Sequence, residues 1–270
     1  MGAGLFERYP EWTAEADAIL GYSIRELCQD DPRAELGLTE FTQPALFVVN
    51  ALSYRARQDE GRPSPAFLAG HSLGEYNALV AAGVVDFSTG VKMVKQRGQL
   101  MSRVRGGGMA AVIGLEPAKI EAVLASSDAG GRLDVANFNS FEQTVIAGPK
   151  DDLTAVKPQF QEAGARLIPL NVSAPFHSRY MRDAQAEFTA FLETFRFNSP
   201  SVPVISNATA APYDASAMKE TLARQIGSSV RWLDSVLFML DRGVTEFEEV
   251  GPGNVLTKLT GQIRKRKPGT

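Results

Sequence analysis

The chain contains the stretch Ala66-Phe67-Leu68-Ala69-Gly70-His71-Ser72-Leu73-Gly74-Glu75-Tyr76, on which the prediction of its fold rests. Its four leading apolar residues read as a short buried strand, and apolar residues at helical spacing follow the glycine-flanked turn. Strand, sharp turn and helix are the context of the G-x-S-x-G pattern, in which the glycines let the backbone turn tightly and expose the serine hydroxyl. The stretch therefore predicts an α/β body with Ser72 at the carboxyl end of a strand.

Helices surround this unit in the first half of the chain. Thr42-Gln43-Pro44 before the apolar run 45–52 predicts a buried helix with a cap candidate at Thr42 and Pro44 in its first turn. Another helix is expected from about Ser88 to Arg103. The triple glycine at 106–108 is a break in composition and a candidate hinge.

The pattern changes between Met109 and Asn171. Strands are expected over 110–113, 133–136, 144–147 and 167–172, and helices over 117–124 and 151–163. The order β-α-β-β-α-β within roughly 60 residues is the ferredoxin-like arrangement. Beyond it the first pattern returns, with helices around residues 181–191, 222 and 232–240 and strands at 202–205 and near Phe247.

The expected fold class is α/β, with an α/β-hydrolase-like large subdomain and an inserted ferredoxin-like small subdomain. Residues 1–107 and 174–270 form the large subdomain in this interpretation. Residues 108–173 form the small one, so the chain would be one interrupted body rather than two domains in series.

Composition narrows the function classes. The 270 residues are 44% hydrophobic and 22% charged, as in folded globular proteins, and the net charge of -3 gives no field that favours nucleic acid or an anionic membrane. The single cysteine, Cys28, allows no internal disulfide and no cysteine metal site. No stretch approaches the roughly 20 apolar residues of a membrane span. We expect a cytoplasmic monomer that needs no metal or cofactor. We also expect the basic segment 264–267 to be a solvated chain end rather than a binding arm.

Ser72 is a candidate nucleophile and needs a general base. The chain offers only His71 and His177. His71 neighbours the serine in the same sharp turn and is directed away from it, so the sequence favours His177, in a loop stiffened by Pro175. A surface-loop histidine is the alternative interpretation of His177. The backbone N-H of Leu73 is a candidate donor to an oxyanion.

Arg97 lies on the apolar stripe of its predicted helix, three residues after Val94 and four before Met101. An inward guanidinium must be paired, and its donors suit a carboxylate. An internal salt bridge or a side chain that extends to the surface is the alternative. If the partner is a substrate carboxylate, Ser72, His177 and Arg97 together predict acyl transfer of a dicarboxylic half-ester or half-thioester.

Seven segments make the chain resemble the malonyl-CoA:acyl carrier protein transacylases, and most closely the discrete acyltransferases that serve polyketide synthases without built-in acyltransferase domains. They are Phe41-Thr42-Gln43-Pro44-Ala45, residues 70–75, Gln96-Arg97-Gly98, residues 109–112, Asn137-Phe138-Asn139-Ser140, Phe176-His177-Ser178 and Val250-Gly251-Pro252-Gly253. The resemblance implies an [acyl-carrier-protein] S-malonyltransferase that takes malonyl from malonyl-CoA onto Ser72. The acceptor is then the phosphopantetheine thiol of an acyl carrier protein in polyketide or fatty acid biosynthesis.

The resemblance also implies roles for individual residues. His177 is base and then acid, and Arg97 holds the malonyl carboxylate. The backbone carbonyl of Gln225 orients the histidine, within a segment where Ser229 stands in place of the family's proline. Substrate-binding roles fall to His71, Asn139, Leu73 and Phe176, the last two in the malonyl-selecting pattern. Packing against one methyl group is worth only about 1 to 3 kcal/mol, so selection of malonyl over methylmalonyl would be modest.

The front of the chain departs from the family. Its members begin with a strand and a Gly-Gln-Gly-Ser-Gln loop, and Met1-Gly2-Ala3-Gly4 resembles the helix start that follows this loop. The loop glutamine normally supplies the second oxyanion N-H. Losing one such donor costs about 10²- to 10³-fold in rate, so the resemblance implies half an oxyanion hole here.

Two other functions compete with malonyl transfer. An acyl hydrolase that clears stalled acyl carrier proteins would share the fold, but such enzymes tend not to need the arginine at position 97. A truncated, non-catalytic module that only docks a carrier protein is the third interpretation.

Overall fold

The computed structural model describes residues 1–267. Its α-helices are α1 (Leu5–Arg8), α2 (Pro10–Leu20), α3 (Ile24–Gln29), α4 (Thr39–Asp59), α5 (Gly74–Ala81), α6 (Phe87–Arg103), α7 (Pro117–Ala125), α8 (Lys150–Ala155), α9 (Lys157–Glu162), α10 (Arg182–Leu192), α11 (Met218–Arg224), α12 (Trp232–Leu240) and α13 (Val255–Arg266). The strands are β1 (Leu68–Ala69), β2 (Gly107–Ile113), β3 (Asp134–Ser140), β4 (Gln143–Pro149), β5 (Arg166–Pro169) and β6 (Val204–Ile205). Within this part of the chain, no helix is long and apolar enough to cross a bilayer.

The strand before Ser72 is short. β1 has two residues rather than the four expected, and it pairs in parallel with β6, Leu68 opposite Val204 and Ala69 opposite Ile205. Helix α5 begins directly after the turn. The predicted order of strand, turn and helix is confirmed, and it places Ser72 where the chain leaves the sheet.

Helices α4 and α6 form the largest contact of the helical body, and their facing residues are buried in one apolar core. Gly90 of α6 lies so close to α4 that a Cβ atom would stand 2.4 Å from Cζ of Phe47. The predicted start of α4 is wrong. The helix begins at Thr39, with Leu38 as N-cap, so Pro44 lies inside it. Thr42 is inside as well, and its hydroxyl donates to the carbonyls of Leu36 and Leu38.

Residues 107–169 contain a four-stranded antiparallel sheet in the order β3-β4-β2-β5. This order confirms the ferredoxin-like arrangement. Its helices pack apolar residues such as Ile120 and Phe160 against Val112 in a core separate from that of the helical body. The subdomain boundaries at 107/108 and 173/174 stay a prediction.

Gly107 and Gly108 lie inside β2 and pair with β4, and a Cβ on Gly107 would stand 2.5 Å from Pro175. A hinge at 106–108 stays a prediction. Two other expectations for this region and the one after it are wrong. The helix expected over 151–163 divides at Val156, because Pro158 has no N-H to continue the ladder. Around Phe247 no strand forms in the described chain.

The segment after Gln225 joins the sheet to the helical body. The Val230 N-H donates to the Ala136 carbonyl at 2.8 Å, and the Phe138 N-H donates to the Val230 carbonyl at 2.9 Å. These hydrogen bonds join β3 to Val230, five residues after Gln225.

The basic segment near the chain end forms exposed ion pairs with residues distant in sequence, since Arg266 pairs with Glu116 and Glu142.

The contact of α4 with α6 predicts the effect of Gly90→Ala. The new methyl group would overlap the Phe47 ring, so we expect a loss of about 1 to 3 kcal/mol in unfolding free energy, measured by urea denaturation. Gly261→Ala is the control, because a Cβ there meets no atom within 4 Å and alanine gains about 0.5 to 1 kcal/mol in a helix. Equal stability of the two variants would contradict this description of the packing.

Candidate active site

The turn between β1 and α5 holds Ser72 in a conformation unusual for a residue with a side chain. Its φ is 51°, in the left-handed region. Gly70 makes the turn possible, because a Cβ there would stand 1.9 Å from the backbone carbon of Gly74. Gly74 itself has open space at its Cβ position. The turn is therefore strained at Ser72, and this strained backbone presents the Ser72 hydroxyl.

His177 faces that hydroxyl. Its Nε2 lies 2.7 Å from Ser72 Oγ, and its Nδ1 lies 2.9 Å from the backbone carbonyl oxygen of Gln225. Because a carbonyl only accepts, Nδ1 carries the proton and the Nε2 lone pair faces the serine. The side chain is buried, which contradicts the surface-loop alternative. Burial, assisted by the charge of Arg97, lowers the pKa of His177 to about 3, so the imidazole is neutral at neutral pH.

The Arg97 guanidinium is the third member of this group. It is 1% exposed, and its Nη1 donates to Gln43 Oε1 at 2.6 Å. Its Nη2 donates to Ser72 Oγ and to Gln225 Oε1, both at 3.0 Å, and the group lies over the Tyr76 ring at 5.3 Å. The side chain neither reaches solvent nor forms an ion pair with another residue of the described chain. Both alternatives for Arg97 are therefore contradicted.

A buried polar layer lies below Ser72 and Arg97. The side-chain amide of Gln225 donates to the Ser72 carbonyl at 2.7 Å and to Glu75 Oε2 at 2.9 Å. Glu75 also accepts from the Tyr213 hydroxyl and from the Asn207 backbone N-H. Burial raises the pKa of Glu75 to about 7 against the opposing effect of these donors.

Asn207 fixes the turn from the side of β6. Its Oδ1 accepts from the Ser72 N-H at 2.7 Å and its Nδ2 donates to the Gly70 carbonyl at 2.7 Å. The Ser72 N-H is thereby occupied. The Leu73 N-H has no hydrogen-bond partner in the described chain, which leaves it available to an oxyanion.

The structure places the other sequence-predicted residues around this centre. His71 Nε2 lies 2.8 Å from Asn139 Oδ1, and the His71 ring lies 5.8 Å from that of Trp232. Burial lowers the pKa of His71. Leu73 is buried, and Phe176 packs partly buried between the helical body and the sheet. His71 thus contacts Asn139, and of the two histidines it is His177 that reaches Ser72 Oγ.

Sequence reasoning gave no role to four side chains that build the site. Gln43 and Glu75 fall within segments quoted for the resemblance, and each is a polar residue in an otherwise apolar helical run, which was the available signal. Tyr76 and Asn207 carried no comparable signal. Ser229, at the family's proline position, donates to the Val135 carbonyl and so ties its loop to β3.

These distances describe a serine poised for proton transfer to a neutral histidine, with a buried cation beside it. Such a group can form an ester with an acyl donor and hold an anionic acyl chain. Within residues 1–267 no three His, Cys, Asp or Glu side chains come together as a metal site.

The family model of the acyl transferase domain matches residues 13–267. The polyketide biosynthesis malonyl CoA-acyl carrier protein transacylase PksC of Bacillus subtilis (strain 168) is 50% identical over 267 residues, 98% of this chain and 92% of PksC. The chain belongs to the malonyl CoA-acyl carrier protein transacylases.

Solved structures of these transacylases superpose on nearly the whole chain. The crystal structure of the malonyl CoA-acyl carrier protein transacylase from Burkholderia pseudomallei has a TM-score of 0.95 at 49% identity and covers 99% of this chain and 94% of its own. A malonyl-transacylase in complex with a type II PKS acyl-carrier protein has a TM-score of 0.93 at 39% identity and covers 98% and 88%. The α/β transacylase fold expected from the sequence is thus confirmed.

The buried position of His177 predicts how Ser72 reactivity depends on pH. A group whose pKa falls from 6.5 to about 3 stays neutral, and able to accept a proton, down to pH 5. We expect the rate of inactivation by phenylmethanesulfonyl fluoride, a neutral serine reagent, to be flat from pH 8 to pH 5. A loss of rate with a midpoint near pH 6.5 would contradict the description of a desolvated imidazole.

Proposed function

We propose that this protein moves a malonyl group from malonyl-CoA through a Ser72 ester to the phosphopantetheine thiol of an acyl carrier protein, in polyketide biosynthesis. The observation that carries the proposal is the buried Arg97 guanidinium, which donates to Ser72 Oγ and forms no ion pair within residues 1–267. Family membership supports the chemistry, and the polyketide setting follows from the name of PksC.

In the first half-reaction, Ser72 Oγ attacks the thioester carbonyl of malonyl-CoA while its proton passes to His177 Nε2 at 2.7 Å. The carbonyl oxygen becomes an oxyanion, and the Leu73 N-H donates to it. When the tetrahedral intermediate collapses, the carbon-sulfur bond breaks and His177 returns the proton to the departing CoA sulfur. The products are the Ser72 malonyl ester and free CoA.

The second half-reaction runs the same steps with the carrier's thiol. His177 takes the thiol proton, the sulfur attacks the ester carbonyl, and the proton returns to Ser72 Oγ as the ester bond breaks. The Gln225 carbonyl holds the Nδ1 proton throughout, so the imidazole keeps its orientation in both directions. The cycle as written uses groups of this protein and its two substrates, with no added cofactor.

Arg97 accounts for the choice of a dicarboxylic acyl group. In the free protein, one of its N-H groups donates to Ser72 Oγ. Esterification makes this oxygen a poorer acceptor, which frees the donor for the malonyl carboxylate. Charge-assisted hydrogen bonds to that carboxylate stabilise the ester in a water-poor site.

Smaller roles belong to the surrounding residues. We propose that Leu73 and Phe176 crowd the α-carbon of the acyl group, and that His71 with Asn139 lines the path of the acyl donor.

The carrier partner is supported by the related transacylase solved with its acyl-carrier protein. A cytoplasmic location suits the buried free thiol of Cys28. The monomeric state stays a prediction.

Intact-mass analysis after mixing with malonyl-CoA tests the proposal. We expect the mass to rise by one malonyl group on Ser72, and the label to pass to holo acyl carrier protein on its addition. Ser72→Ala should abolish both. Release of free acid from acetyl carrier protein faster than malonyl transfer would instead favour the hydrolase, and carrier binding without labelling of wild type would favour the docking module.

Substrate selection tests the role of Arg97. Arg97→Ala should lower the ratio of malonyl to acetyl acylation of Ser72 by about 10- to 100-fold, because a buried charge-assisted hydrogen bond is worth roughly 1.5 to 3 kcal/mol. Arg103→Ala, on the same helix in an exposed pair with Glu187, is the control and should leave the ratio unchanged. An unchanged ratio in Arg97→Ala would refute the assignment.

A further inference from the structure

The fully buried carboxyl of Glu75, three residues after Ser72, has no part in the reaction steps above. It is surrounded by hydrogen-bond donors. The Asn207 backbone N-H approaches both oxygens at 3.2 Å, Gln225 Nε2 donates to Oε2 at 2.9 Å, and the Tyr213 hydroxyl donates to Oε1. These donors stabilise the ionised form and oppose the rise in pKa, to about 7, that burial causes, so the carboxylate is the main form above pH 7.

This carboxylate determines which way the Gln225 amide points. The amide nitrogen faces two acceptors, Glu75 Oε2 and the Ser72 carbonyl, so the amide oxygen must face the other side. On that side lies Arg97 Nη2, which donates to it at 3.0 Å. The reversed amide would bring its NH2 group against the guanidinium, donor against donor.

Arg97 depends on this arrangement because only neutral groups hold it directly. Gln43 and Gln225 accept from its two terminal nitrogens, and the Tyr76 ring lies against its face. The carboxylate of Glu75 is one amide away. Breaking that connection releases one of the two amide acceptors that fix the guanidinium plane, while the Gln225 backbone carbonyl stays on His177.

We propose that Glu75 is a positioning residue for acyl-group selection, because its carboxylate fixes the Gln225 amide and the amide oxygen fixes Arg97 where the malonyl carboxylate binds. The inference rests on the proposed malonyl transfer. It predicts a specific defect, since a misplaced guanidinium weakens the binding of malonyl but not that of an acyl group without a carboxylate.

A second connection from Glu75 runs through Asn207 to the turn that carries Ser72. Disturbance along that route would slow every acyl donor alike, because it moves the nucleophile itself. The ratio of malonyl to acetyl acylation therefore separates selection through Gln225 from general support of the turn.

The test measures the rate of Ser72 acylation in wild type and in Glu75→Gln, with subsaturating malonyl-CoA or acetyl-CoA as the donor. Intact-mass analysis follows the acylation over time. In Glu75→Gln, the NH2 group of the new side chain faces a hydrogen-bond donor, either the Asn207 backbone N-H or the Gln225 amide nitrogen. If the Gln225 amide reverses to relieve that contact, its own NH2 group then faces Arg97. We expect the malonyl to acetyl ratio to fall about tenfold or more, the loss of one hydrogen bond to a charged group. A ratio within about twofold of wild type would overturn the proposal.

Matched variants separate the possible failures. Tyr213→Phe removes a donor to Glu75 without touching Gln225, and Asp152→Asn changes a carboxylate paired with Arg132 in the sheet region. Both should keep the wild-type ratio, and a fall of equal size in Tyr213→Phe would contradict the specific route. If Glu75→Gln does not fold, Glu75→Asp withdraws the same oxygen from Gln225 and must lower the ratio. Absence of malonyl labelling in wild type would refute the function itself and not the positioning role.

Discussion

A guanidinium buried to 1% exposure is the constraint on which the site depends. Taking a charge out of water costs free energy unless polar groups replace the water, and the terminal nitrogens of Arg97 donate to two glutamine oxygens and the Ser72 hydroxyl while an aromatic ring lies against its face. Its buried Nε has no partner in residues 1–267. The helix that carries it lies against α4, which supplies Gln43, and the loop after α11 supplies Gln225. Three separate parts of the chain must therefore come together before the cation can be buried.

Contacts between distant parts of the chain also hold Ser72 and His177 in place. Ser72 and His177 both have positive φ, with values of 51° and 57°, which neither residue adopts without support. Asn207 holds the turn at Ser72, and the Gln225 carbonyl holds the His177 ring. Gln225 thus touches all three functional residues, with its backbone on the histidine and its side chain on the arginine and the serine. The local strain is therefore offset by hydrogen bonds from residues distant in sequence.

Sequence reasoning reached the parts of this arrangement that have local signals. The G-x-S-x-G turn at Ser72, the inward position of Arg97 and the alternating strands of the small sheet all follow from spacing along the chain. The buried layer could not be found in this way, because Glu75, Gln225 and Asn207 meet only through tertiary contacts. Boundaries failed for a related reason. Gly107 lies in β2 against Pro175, which is distant in sequence, and α4 begins before Pro44, where Gln43, Pro44 and Ala45 are buried.

Together, these contacts describe a buried cation held by neutral groups beside the Ser72 hydroxyl. We propose that the matching anion is the carboxylate of the substrate. On this proposal, Ser72 and His177 supply the chemistry of acyl transfer, and Arg97 with the layer below it supplies the selectivity.

A crystal structure of the Ser72 malonyl ester tests this account most directly, through the distance between the Arg97 guanidinium and the malonyl carboxylate. We expect two hydrogen bonds between them, with the Arg97 contacts to Gln43 and Gln225 retained. A malonyl carboxylate turned to solvent, or paired with another residue while Arg97 keeps its place, would contradict it.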